Sequence, residues 1–192
     1  LTIEQVTKVT SALKYVEAIR RFGHLEADVF AVGEPITDPE ISLEYEDYGL
    51  TREDLENMPA RWVWENAPDH IATAYDAVKY LRKRYTGKIA FEFHHVDNIQ
   101  ERQWFIDQVE SGKFEFELTD LEKKQLLERL VDVEGFEHFL QKTFTGQKRF
   151  SIEGLEAMVP VLDRIVKLAN EDKVENIMMG MAHRGRLSVL AY

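Results

Sequence analysis

Apolar residues recur at steps of three and four through most of this chain, and that spacing commits it to helices before anything else is considered. Ile3, Val6, Val9, Leu13, Val16 and Ile19 line one side of a helix over 3–21, which Gly23 ends. Ile71, Ala74, Tyr75, Val78 and Leu81 do the same over 70–85, with Gly87 as the stop. A third helix is expected over 98–111, with Ile99, Phe105 and Val109 inward and Gly112 closing it. Thr119 and Glu122 form a capping-box pattern. It opens a helix carrying Leu126, Leu127, Leu130 and Val131, and a break near Gly135 sets Phe136, Phe139 and Leu140 on the next one. Ser151 can cap a further helix whose apolar face is Leu155, Met158, Val159, Leu162, Ile165, Val166 and Ala169. Pro160 inside that pattern implies a kink or a later start.

Two short runs depart from the helical period. Residues 88–93 are rich in Ile and Phe and read as a strand. Residues 174–179 read as a second strand reaching Gly180, followed by a polar loop over 182–186 and a helix from Leu187. Helix, strand, loop, helix is the opening of an α/β sheet. The expected fold class is α/β overall: a mainly helical region over 1–146, then the beginning of an α/β domain over 147–192. The boundary is placed near Gly146.

Composition limits what such a chain can do. Its 192 residues include no cysteine, so a disulfide framework, a thiolate metal site and a cysteine nucleophile are excluded. No apolar run approaches the ~20 residues that span a bilayer, and the first residues lack the pattern of a signal peptide. With 24 basic and 35 acidic residues the net charge is −11, which argues against a nucleic-acid partner. Residues 34–57 hold nine acids against one base, Arg52, with Pro35 and Pro39 among them. That window reads as a solvated, poorly packed connector, or as a docking surface for a basic partner. The chain starts on Leu1 and ends on Tyr192 directly after an apolar run, and reads as a fragment of a longer protein.

The densest polar cluster is His183-Arg184-Gly185-Arg186, placed after the expected strand where a helix begins. Strand ends and helix N-termini of open α/β sheets favour anions. Two arginines suit a carboxylate or phosphate, and His183 can donate to an oxyanion or move a proton. The same residues also read as surface ion pairs and a locally packed histidine, and the pattern leaves both open. Lys148-Arg149-Phe150-Ser151 stands at the expected entrance of another helix, as a phosphate site or a basic surface turn. His94, His95 and Asp97 lack a third histidine at ligand spacing, which argues against a metal site there. Trp62 and Trp64 are expected to anchor a helical subdomain. None of the ten glycines is followed by aspartate, and neither a phosphate-binding glycine loop nor a nucleophile elbow is present.

Several segments taken together resemble one family. Residues 148–154 and 179–191 are closely similar to the thiamine-diphosphate-dependent dehydrogenase component of the 2-oxoglutarate dehydrogenase complex, as is the spacing from Phe150 to His183. Residues 87–95 resemble its Glu-Tyr-Met-His segment, which places the family histidine on His95. Residues 20–25 resemble the Gly-His-Leu that ends its first helix, and Trp104 and Glu134-Gly135 also fall where that family has them. The resemblance runs through almost the whole chain and covers the N-terminal part of such an enzyme.

It implies oxidative decarboxylation of 2-oxoglutarate on thiamine diphosphate with Mg2+, and succinyl transfer to the lipoyl arm of a dihydrolipoamide succinyltransferase. It also implies a homodimer with its active site between subunits. The setting would be a bacterial cytoplasm, or a mitochondrial matrix in a eukaryote. Arg149 would hold the cofactor near its diphosphate and Phe150 would line the substrate pocket. His183 would contact substrate, with Arg184 and Arg186 supporting the loop and the substrate site. The family's magnesium motif and its activating glutamate are not in these residues and are expected further along, so no metal ligand is expected within the chain. Close variants of this reading act on 2-oxoadipate or release an aldehyde. A different reading is a helical interaction module that docks partner subunits through the acidic window.

Overall fold

The computed structural model of the chain describes residues 2–29, 41–114, 117–146, 151–182 and 185–192. It divides into two compact units, Leu1–Phe116 and Glu117–Tyr192. Among the described residues it is mainly helical, with seven α-helices and a single isolated bridge, Pro59 to Thr73.

The first unit holds α1 (Ile3–Phe22), α2 (Arg52–Glu56), α3 (Ala74–Tyr85) and α4 (Ile99–Glu110). Its helices start where side chains can satisfy the first free amides. Thr2 and Gln5 make a reciprocal capping box on α1, and Thr51 and Asp54 make one on α2. Thr73 caps α3 and Asn98 caps α4. The α1 face Ala12, Tyr15, Val16 and Ile19 packs against the α3 face Ala74, Ala77, Val78 and Leu81. Gly23, at the end of α1, is obligatory for that packing: a Cβ there would lie 2.6 Å from Tyr85 Cβ. Trp64 is buried and stacks on Tyr80 at 5.3 Å, whereas Trp62 stands 44% exposed. Trp64 therefore does what the sequence predicts for both tryptophans, and Trp62 does not.

The described part of the acidic window is packed, which corrects the expectation of a loose connector. Leu43, Leu50 and Leu55 are fully buried in the core. Tyr45 and Tyr48 lie against Tyr15, with ring centres 6.4 and 5.1 Å away. The Leu43 carbonyl accepts from Tyr15 Oη at 2.8 Å and from Arg82 at 2.7 Å, while Arg82 also donates to Glu26 and Glu44. Apolar and aromatic side chains spaced between the acids supply the burial, so the acids stay in water while the backbone is fixed. Residues 34–40 of the window lie outside the described residues.

The second unit holds α5 (Asp120–Thr143), α6 (Met158–Glu171) and α7 (Arg186–Ala191). The expected capping box on α5 is present, but the expected break at Gly135 is not: α5 runs through it. α6 starts at Met158, not at Ser151, which puts Pro160 in its first turn, where a missing N–H costs nothing. The division between units falls ahead of the change of sequence character at Gly146, because α5 packs on α6.

Neither expected strand forms: 88–93 and 174–179 carry no ladder, and the α/β sheet is absent from the described residues. A strand needs a partner for its N–H and C=O groups. Residues 88–93 instead pack by their rings, with Phe91 edge-on to Tyr85 at 6.4 Å and Phe93 stacked on Phe105 at 5.5 Å. Residues 174–180 run without regular structure and keep Val174, Ile177, Met178 and Met179 exposed.

Candidate functional site

The second unit brings two sequence motifs together. Its small core is Val133, Ile152 and Val159, with Met158 and Tyr192 against it. Ile152 directly follows the Lys148–Ser151 motif and is fully buried. Gly185, in the second motif, lies directly on it: a Cβ on Gly185 would overlap the Ile152 side chain. Gly185 also has φ +71°, the left-handed region that glycine enters freely, at the point where α7 begins. Glycine is thus required twice over, by conformation and by space.

The neighbours of this contact hold its shape. Glu137, on the same α5 face as Val133, is buried and accepts the Ile152 N–H at 2.7 Å. A carboxylate on a backbone amide is a charge-assisted bond, about twice as strong as a neutral one. Tyr192 donates to the carbonyls of Asp132 and Val133 at 3.1 and 3.0 Å and meets Phe136 edge-on. Arg129 lies 5.0 Å from the Tyr192 ring centre and binds Asp163 of α6 through two nitrogens, at 2.7 and 3.2 Å. Sequence reading missed Glu137 and Tyr192. The i, i+4 pairing of Val133 with Glu137 is the one signal for the first; nothing signals the second.

Of the residues singled out for chemistry, Arg186 is described: it is exposed at the first position of α7. Arg149, Phe150, His183 and Arg184 lie outside the described residues, as does Lys148. What the structure gives is the junction between their two segments, at Ile152 and Gly185. The helix entrance expected beside Lys148 and Arg149 is corrected, since α6 starts at Met158.

In the first unit, His95 is exposed and His94 is half-buried. His94 stacks on Phe93 and lies 3.2 Å from Glu17. Burial lowers its pKa below the ordinary histidine value, against the pull of Glu17. Among the described residues no group of three His, Asp or Glu is gathered for a metal. A buried ion pair here is one the sequence did not reveal. Arg20 donates to both oxygens of Glu110 at 2.7 and 3.1 Å, and Tyr85 donates to the same carboxylate at 3.3 Å. Arg20 belongs to the segment that carries the family's Gly-His-Leu likeness, so that likeness marks a structural joint between α1, α3 and α4.

No family model matches the chain. Curated relatives do. A 2-oxoglutarate dehydrogenase E1 component from Oceanobacillus iheyensis is 55% identical over 97% of this chain, and the match covers 20% of that protein. Those from Geobacillus kaustophilus and Bacillus subtilis are 47% and 44% identical over 97% and 100% of the chain, again across 20% of their own length. The chain is a relative of the N-terminal fifth of 2-oxoglutarate dehydrogenase E1 components. The family likeness of residues 20–25, 87–95, 148–154 and 179–191 thus extends along nearly the whole chain. The chain spans about one fifth of the length of the E1 components it matches. Those relatives are bacterial, and no helix among the described residues is long and apolar enough to cross a membrane.

Proposed function

We propose that this chain is the N-terminal part of a 2-oxoglutarate dehydrogenase E1 component. The complete enzyme would oxidatively decarboxylate 2-oxoglutarate on thiamine diphosphate and pass the succinyl group to a lipoyl-bearing dihydrolipoamide succinyltransferase. The observation that carries this is identity of 42–55% to proteins of that name over nearly the whole chain. The second unit fits the reading. Ile152 meets Gly185 there, and a cationic site for a diphosphate and a substrate with two carboxylates would draw on the segments that precede each of them.

In this reading thiamine diphosphate, with Mg2+ bound by residues further along, supplies the carbanion chemistry. Arg149 pairs with the diphosphate and Phe150 lines the substrate pocket. His183 donates a hydrogen bond to the substrate, and Arg184 and Arg186 pair with its carboxylates and hold the loop. Residues 174–180 would open the α/β cofactor domain, their exposed Val174, Ile177, Met178 and Met179 taking strand partners from chain beyond the matched fifth. The active enzyme is a homodimer in a bacterial cytoplasm.

The test is decarboxylation by a protein of the relatives' length, with an artificial electron acceptor and 2-oxoglutarate, 2-oxoadipate and pyruvate compared. Turnover of 2-oxoglutarate that requires thiamine diphosphate is expected. His183→Ala should cost roughly 10²–10³-fold in turnover, the usual loss for one preorganised donor. A folded, cofactor-saturated protein that turns over none of the three acids would overturn the reading.

A further inference from the structure

Beside α1, the first unit carries two hollows, of about 290 and 720 Å3, whose linings share Trp62. The turn that bears Trp62 is anchored on both sides. Ala60, Val63 and Trp64 are buried around it, and the Ala60 N–H bonds the Ala72 carbonyl at 3.0 Å. The indole is thus held out at 44% exposure by a fixed backbone, with Leu13 of α1, 45% exposed, lining the larger hollow. Holding this much apolar surface in water is unfavourable, and a pre-positioned tryptophan is a common anchor of binding energy.

The rim is acidic on balance. Each base lining the hollows is already held by an acid: Lys8 by Asp54, Arg20 by Glu110 and Arg61 by Asp69. Glu4, Glu53, Glu65 and Asp107 line the same hollows and have no ion pair among the described residues. A second copy of this chain would bring the same acids to the contact, and its net charge of −11 opposes that pairing.

We propose that this groove docks a basic polypeptide segment of a partner, with an apolar side chain packed on Trp62 and Leu13 and lysines or arginines facing Glu4, Glu53, Glu65 and Asp107. It would give the acid-rich stretch around Glu53 a role separate from the decarboxylation proposed above.

The probe is a fluorescein-labelled peptide of leucine and lysine, paired with one in which glutamate replaces lysine. Anisotropy is followed on the 192-residue chain. Binding of the lysine peptide alone, weakening as salt rises, is expected. Trp62→Ala should weaken it at least tenfold, and Glu53→Gln with Glu65→Gln and Asp107→Asn should weaken it by a similar factor and flatten the salt dependence. Circular dichroism matching the parent guards against loss of fold, and Trp62→Phe should retain most of the binding. Equal affinity of parent and Trp62→Ala would overturn the proposal, as would equal binding of the glutamate peptide. Self-association in sedimentation that Trp62→Ala abolishes would assign the groove to a second copy. Trp62 shielded from iodide in a protein of the relatives' length, without peptide, would assign it to the chain itself.

Discussion

Arg20 shows how one residue can matter more than its exposure suggests. Its guanidinium binds both oxygens of Glu110, a side chain 5% exposed, and Tyr85 closes the third side. Removing one partner of such a pair leaves a buried charge without compensation, at a cost of about 3–5 kcal/mol. Arg20→Ala should therefore lower the urea midpoint of the first unit sharply, and Arg20→Met with Glu110→Leu should recover much of the loss. Gly23→Ala should cost about 1–3 kcal/mol, since its methyl must push Tyr85 away, and a thermal scan reads it directly. Tyr15 sets a pH limit. Burial pushes its hydroxyl up to about 12 from an ordinary 10. A raised value favours the neutral form in the fold, so its contribution is complete below pH 10 and lost as pH rises toward 12. Tyr15→Phe should flatten the alkaline fall in stability measured over that range.

At the scale of elements, what was legible in the sequence was what is local. The period of Val9 to Ile19, the Thr119–Glu122 box and the stop at Gly23 each act within a few residues, and α1 and the start of α5 form where they point, while α3 begins at Ala74, four residues after the expected start. Thr119→Ala should cost about 1 kcal/mol and fray the start of α5, read by helical circular dichroism. The failures depend on contacts the sequence does not display. Residues 88–93 have strand composition but meet rings, not a strand edge. The pattern places a break at Gly135, yet helix continues on both sides of it. A methyl at Gly135 would touch nothing within 4 Å, so Gly135→Ala should stabilise α5 by about 0.5–1 kcal/mol. The motifs of the candidate site were legible as patterns. Their junction through Ile152 and Gly185, and the support from Glu137, came from packing alone.

Across the whole molecule the two units differ in how much of their apolar surface they bury. The first has a continuous core from Ala12 to Val109. Among its described residues the second buries Val133, Ile152 and Val159 and leaves Leu127, Val131, Ile165, Val166, Met178 and Leu190 exposed among others. Hydrogen exchange should accordingly be slow in α1 and α3 and fast over 175–180. In the proposed function the two motif segments of the second unit contribute to one site. Thiamine diphosphate affinity, measured in a protein of the relatives' length, tests it most directly. Gly185→Ala should weaken binding at least tenfold, and adding Ile152→Ala should restore part of it by making room for the methyl. Unchanged affinity in folded Gly185→Ala protein would contradict the account, because the junction at Ile152 would then have no part in the site.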